Sequence, residues 1–125
     1  MIKAAIIIMK MVNFDEEQII ANGDIIYRQR EKIEAIADSI VDKGFDLLLF
    51  TSSGGSQAML DPFAFYIRHE SKLSVENVIS ADLLLGGCNR ITEKTVAFLT
   101  SKSGDTAETV EAAKWLKAQG VRLVS

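Results

Sequence analysis

The sequence predicts an α/β domain in which a parallel sheet is covered by helices on both faces, giving three layers. Three observations predict it. Leu47–Thr51 is an unbroken apolar run with no polar alternation, the pattern of a strand buried on both faces. Strand-length apolar segments then alternate with helix-length amphipathic ones along the rest of the chain, as βαβ units require. A turn dense in serine and glycine follows both the first and the third strand candidate.

The elements follow in order. Residues 14–43 read as helix, because Ile19, Ile26, Ile33 and Ile40 recur every seven residues and Ile36, Ala37 and Val41 widen the stripe. Asn13 is the expected N-cap and Gly44 the expected stop. Asn22-Gly23-Asp24 is the expected point of a kink dividing this segment into two helices. After the strand at 47–51 and the turn Ser52–Ser56, a helix is expected over about 57–70, with Pro62 near its start. Val75–Ser80 is the second strand, and Ala81–Leu85 a short helix or turn ending at Gly86-Gly87. Thr95–Thr100 is the third strand and Ser101–Thr106 the second turn. A helix over 106–119 is stopped by Gly120, and Val121–Val124 begins a fourth strand.

Composition narrows the function classes. A chain of 125 residues is near the size of one domain, and 48% hydrophobic with 25% charged residues places it among globular proteins rather than disordered ones. Net charge is −3 with no basic face, which argues against nucleic acid as a partner. Cys88 is the sole cysteine, so an internal disulfide and a cysteine-based metal site are excluded, and no cofactor or metal is expected. The apolar run Ala4–Met9 is too short for a membrane span or a signal-peptide core. Residues 1–13 are therefore set apart as an apolar appendage, read as a frayed edge strand, with Met9 and Met11 as alternative starts. Residues 14–125 are read as one domain, and the chain as cytoplasmic with no membrane partner.

The chemistry lies in the two turns. A turn from a strand into a helix N-terminus presents unpaired N–H groups and the positive end of the helix dipole, where phosphate binds readily. Ser53, Gly54, Gly55 and Ser56 in the first turn are small and donate hydrogen bonds or let the backbone approach. Ser101, Ser103, Gly104 and Thr106 do the same in the second, where three hydroxyls are expected to converge on phosphate oxygens. One such turn is explained by capping alone, and Asp105 with Glu108 resembles a capping box. Two at the same carboxyl edge, meeting where the strand order reverses, favour an anion site. Neither turn has dinucleotide glycine spacing, nor is a G-x-x-x-x-G-K-[ST] loop present, so a small phosphorylated metabolite is expected rather than a nucleotide.

Ser101-Lys-Ser-Gly-Asp-Thr-Ala-Glu-Thr resembles the Ser-x-Ser-Gly-x-Thr-x-[Glu/Asp]-Thr signature of sugar isomerase (SIS) domains, and Ser52-Ser-Gly-Gly-Ser resembles the first phosphosugar loop of that family. The run Ser53-Gly-Gly-Ser-Gln-Ala-Met-Leu-Asp-Pro-Phe and Lys102-Ser-Gly-Asp-Thr are most similar to the fructoselysine- and glucoselysine-6-phosphate deglycases, relatives of the isomerase half of glucosamine-6-phosphate synthase. The resemblance implies an SIS-type doubly wound fold, of whose five parallel strands four fall within this chain. It implies that Ser101, Ser103, Thr106 and the amides around Gly104 hold the phosphate, that Gly55 and Ser56 contact phosphate or sugar, and that Lys102 faces the sugar phosphate. It also implies a homodimer and a sugar 6-phosphate or ketosamine 6-phosphate ligand. The family's catalytic glutamate and histidine fall beyond the matched segment, so the chain is expected to be the first part of a longer protein. The glutamate that the family carries near Ile79-Ser80-Ala81-Asp82 is missing, and Asp82, one position later, is read as a helix cap.

The remaining reactive residues have simpler explanations. His69, the sole histidine, is expected at the end of its helix far from the turns. Cys88 has only Arg90 as a basic neighbour in sequence and reads as a packed thiol. Trp115 shares an apolar stripe with Val110, Ala113 and Leu116 and reads as core or interface. The function expected is that of the phosphosugar-binding part of a ketosamine-6-phosphate deglycase or sugar-phosphate isomerase. The alternatives are a non-catalytic sugar-phosphate sensor or an inactive fragment.

Overall fold

The computed structural model describes residues 15–125. Asn13 as N-cap and the reading of residues 1–13 as an edge strand lie outside those residues. The chain divides into two compact units, Met1–Asp38 and Ser39–Ser125.

In the first unit, helix α1 spans Glu16–Arg28. Asp15 caps it, its carboxylate accepting from the Gln18 N–H at 3.0 Å, and Glu16 and Glu17 favour the positive end of its dipole. The helix runs unbroken through Asn22–Asp24 and stops instead at Gln29, whose N–H turns back to Ile26 and Tyr27. A solvated glycine costs a helix only about 1 kcal/mol, less than its neighbouring turns contribute. Helix α2, Arg30–Lys43, follows and passes into the second unit at Ser39; it ends in Gly44, where φ of 69° and an N–H bonded to Val41 O at 3.0 Å stop it as expected.

The second unit holds a four-stranded sheet of β1 (Leu47–Ser52), β2 (Val75–Ile79), β3 (Thr95–Leu99) and β4 (Arg122–Val124). Every pairing is parallel and the order is β2-β1-β3-β4. Helices α3 (Gly54–Glu70), α4 (Ser80–Gly86) and α5 (Ala107–Ala118) make the connections. All six residues of β1 are buried, which is why its sequence lacks alternation. Even positions Leu48 and Phe50 join Val96, Leu60 and Ala64 of α3, with Ile40 of α2 packed against them. Odd position Leu49 joins Ala97, Leu99, Leu83 of α4, and Ala112 and Leu116 of α5 on the opposite face. These two apolar layers make the three-layer α/β sandwich that the sequence predicts.

Local boundaries depart from expectation in three places. Helix α3 begins at Gly54 rather than near residue 57, which puts Pro62 inside it instead of in its first turn. Helix α5 is capped at Thr106, so the Asp105–Glu108 capping box does not form. Asp82 lies in the first turn of α4 but is not its cap, which is Ile79. Cys88, Ile91 and Trp115 pack against the α4–α5 layer, and Arg90 is paired with Glu76 at 2.6 Å.

Candidate functional site

The central strands β1 and β3 are neighbours, with Thr51 opposite Leu99. The chain leaves β1 toward β2 on one side, and β3 returns on the other, so the strand order reverses between them. Helices draw apart at such a point, leaving a crevice at the carboxyl edge. The two turns leave from there side by side.

Hydrogen bonds join them directly. The buried Ser52 hydroxyl donates to the Thr100 carbonyl, and the Thr100 hydroxyl donates to the Ser56 carbonyl at 3.2 Å. The Thr109 hydroxyl of α5 donates to the Ser53 hydroxyl, the N-cap of α3, at 3.3 Å. Below them, the Thr51 and Ser80 hydroxyls pair at 3.2 Å, both fully buried. The second turn also folds on itself. Ser101 Oγ accepts from the Gly104 N–H at 3.0 Å and lies 3.1 Å from Thr106 Oγ1. Gly104 takes φ of 79° and Gly54 φ of 55°, values that residues with a Cβ rarely adopt.

A cleft of about 1020 Å³ opens between the turns, ample for a phosphorylated monosaccharide. Ser53, Gly55, Ser56, Ser101, Lys102 and Gly104 of the expected residues line it. Gly54, Ser103 and Thr106 are not among its lining residues. Thr106 is joined to the site through Ser101, and Ser103 and Gly54 are exposed. The apolar lining comes from Met59, Leu99, Val110, Ala113 and Leu123. Lys102 is the only charged side chain in the lining among the described residues, and its ammonium attracts an anion.

Sequence reasoning missed Thr100, Thr109 and Gln57. Thr109 closes the quoted signature, which is the one signal that marked it, and it lines the cleft with 6% exposure. His69 is in the last turn of α3, its Nδ1 3.0 Å from the Phe65 carbonyl and its ring stacked on Phe65, so it has no part in the cleft.

Comparison with known proteins decides the family. The SIS domain model matches residues 19–125. The chain belongs to the SIS domain family. Fructosamine deglycase FrlB of Bacillus subtilis (strain 168) is 28% identical over 95 residues, which cover 75% of this SIS domain chain and 29% of the relative. Two solved structures named as phosphosugar isomerases are also similar. One, from Bacillus subtilis, has a TM-score of 0.69 at 26% identity over 74% of this chain and 29% of its own. The other, from Salmonella typhimurium LT2, has a TM-score of 0.66 at 28% identity over 71% of this chain and 27% of its own. A structure named as a tagatose-6-phosphate ketose/aldose isomerase, from Clostridium novyi NT, shares the fold, with a TM-score of 0.67 at 18% identity over 80% of this chain and 26% of its own. The chain spans less than a third of the length of these relatives. None of the described helices is long and apolar enough to cross a membrane.

Proposed function

We propose that the cleft binds a sugar 6-phosphate, and that residues 14–125 are the phosphosugar-binding domain of a ketosamine-6-phosphate deglycase or sugar-phosphate isomerase. The observation that carries this reading is the joining of two hydroxyl-rich turns at the reversal of strand order, around a cleft whose charged side chain is Lys102. Ser101, Ser103 and Thr106 take the phosphate together with the Gly104 amide, displacing the bonds that Ser101 makes with Thr106 and with the Gly104 N–H. Ser53, Gly54, Gly55 and Ser56 contact phosphate or sugar from the other side, and Lys102 adds a point charge beside the dianion.

The grip orients the sugar so that C1 and C2 meet a base, the step that lowers the entropic part of the barrier. No carboxylate or imidazole side chain lines the cleft among the described residues. The base that moves the proton between C1 and C2 is therefore supplied from elsewhere in the assembled protein, which we read as a cytoplasmic homodimer. The same observation favours a second reading, a non-catalytic module that senses the sugar phosphate.

Calorimetry with fructose 6-phosphate, glucose 6-phosphate and inorganic phosphate tests the binding. The two sugar phosphates should bind and raise the melting temperature, and inorganic phosphate should do so weakly. Ser103→Ala combined with Thr106→Ala should abolish the shift. An unchanged shift would reduce the second turn to a helix cap. Release of an amine from a ketosamine 6-phosphate by the chain or its assembly separates the enzyme from the sensor.

A further inference from the structure

The binding reading gives no part to a buried amide that is bonded to the first turn, Gln57. Gln57, in the first turns of α3, is 6% exposed and is not among the residues lining the cleft. Its Oε1 accepts from the Ser52 N–H at 2.6 Å. Its Nε2 donates to Asn77 Oδ1 at 2.6 Å and to Asp61 Oδ1 at 3.2 Å. Asn77 Nδ2 donates to the same Asp61 oxygen at 2.9 Å. The opposite orientation of the Gln57 amide would set its NH2 against the Ser52 N–H and its oxygen against a carboxylate, so the network fixes which end points where.

These bonds tie three elements to one amide: β1 at Ser52, β2 at Asn77 and α3 itself. Ser52 is the last residue of β1, and its hydroxyl reaches the Thr100 carbonyl. The Thr100 hydroxyl returns to the Ser56 carbonyl at 3.2 Å, and Ser56 is bonded covalently to Gln57. A closed circuit therefore runs Gln57–Ser52–Thr100–Ser56–Gln57, and it contains the start of the first turn and the residue that leads into the second.

Resting on the proposed sugar-phosphate reading, we infer that Gln57 is a positioning residue. It holds the Ser52 peptide and so sets the spacing of the two turns around the ligand, without touching the ligand. An amide is needed because the position must accept from one side and donate to the other. Glutamate accepts on both sides when ionised and donates only when protonated.

That requirement supplies the test, using fructose 6-phosphate and the whole chain, with each variant compared with wild type at the same pH so that the ligand's own ionisation cancels. Gln57→Glu sets a carboxylate against Asp61, the titratable group bonded to this side chain. Ser52 on β1 and Asn77 on β2 are uncharged, and Glu76 beside Asn77 is paired with Arg90. Near pH 8 the variant should bind roughly tenfold more weakly, since a lost donor and like-charge repulsion misplace Ser52. Near pH 5.5 protonation of the introduced carboxylate restores a donor, and affinity should recover to within about threefold of wild type. Gln57→Glu that tracks wild type at both pH values, with only its melting temperature lowered, overturns the inference. If circular dichroism shows the variant unfolded near pH 8, Asn77→Ala decides, because it removes an anchor of Gln57 and leaves the Ser52 bond. It should weaken binding about threefold, and unchanged affinity would overturn the inference. Failure of the wild-type chain to bind would instead remove the proposed function, and this inference with it.

Discussion

The Thr109 and Ser53 hydroxyls lie 3.3 Å apart and join helices α5 and α3 across the strand-order reversal. Ser53 is the N-cap of α3 but makes no side-chain cap bond. Its oxygen is directed to the partner helix instead of to its own. The N-terminal amides of α3 consequently stay open toward the cleft, where an anion can take them.

Thr109→Val tests that relationship, since valine keeps the shape and removes the hydroxyl. Thr109 is 6% exposed, so the loss should appear in stability, at about 1 kcal/mol by urea denaturation. Release of Ser53 to cap α3 should also compete with the ligand. Affinity for fructose 6-phosphate is expected to fall several-fold, measured by calorimetry. Equal affinity in wild type and variant would show that the bond only fastens α5 to α3.

The contrast between Thr109 and β1 explains what was legible in the sequence. Leu47–Thr51 declares a strand buried on both faces because every one of its residues is buried. The two turns are legible because glycine and hydroxyl residues cluster locally. The order β2-β1-β3-β4 makes their convergence visible only in three dimensions. Gln57 and Asn77 are twenty residues apart in sequence and bonded in space, so no local pattern marks their pairing. The kink expected at Asn22–Asp24 failed for a different reason: the penalty of one glycine is smaller than the cooperativity of a helix. The start of α3 was missed because Gly54 enters the helix with φ of 55°, a conformation that reads as turn.

The two apolar layers predict unequal costs of truncation. Leu49 is fully buried at the centre of the sheet, and Leu49→Ala should cost about 2–5 kcal/mol from lost transfer and a residual cavity. Leu123 on β4 is 36% exposed, and the same change there should cost about 1 kcal/mol or less. Chemical denaturation of both variants measures the difference, and equal costs would contradict the central place of β1.

Lys102 supplies charge, not shape. Its side chain is exposed at the cleft, so solvent and salt screen its attraction for a dianion. Lys102→Gln should weaken binding by roughly two- to fivefold at low ionic strength. The two proteins should converge near 1 M salt, where the screening length is about 3 Å. A loss that persists at high salt would mean that lysine makes a direct hydrogen bond which glutamine fails to replace.

The sharpest test separates stability from binding at adjacent glycines. Gly54 has φ of 55° and Gly55 does not fall in the left-handed region, and a Cβ at either would meet nothing within 4 Å. Gly54→Ala is therefore expected to cost about 1–2 kcal/mol purely through backbone conformation. Gly55 is in the first turn of α3, so Gly55→Ala should stabilise the fold by about 0.5–1 kcal/mol through helix propensity and reduced freedom of the unfolded chain. Gly55 also lines the cleft, and its new methyl group would occupy the space in which a ligand approaches the backbone. Gly55→Ala should then melt at a higher temperature than wild type while binding fructose 6-phosphate at least several-fold more weakly. Stability and affinity moving in opposite directions exclude damage to the fold as the cause. If Gly55→Ala is stabilised and binds as well as wild type, the ligand does not press against the first turn, and the grip rests on the second turn alone.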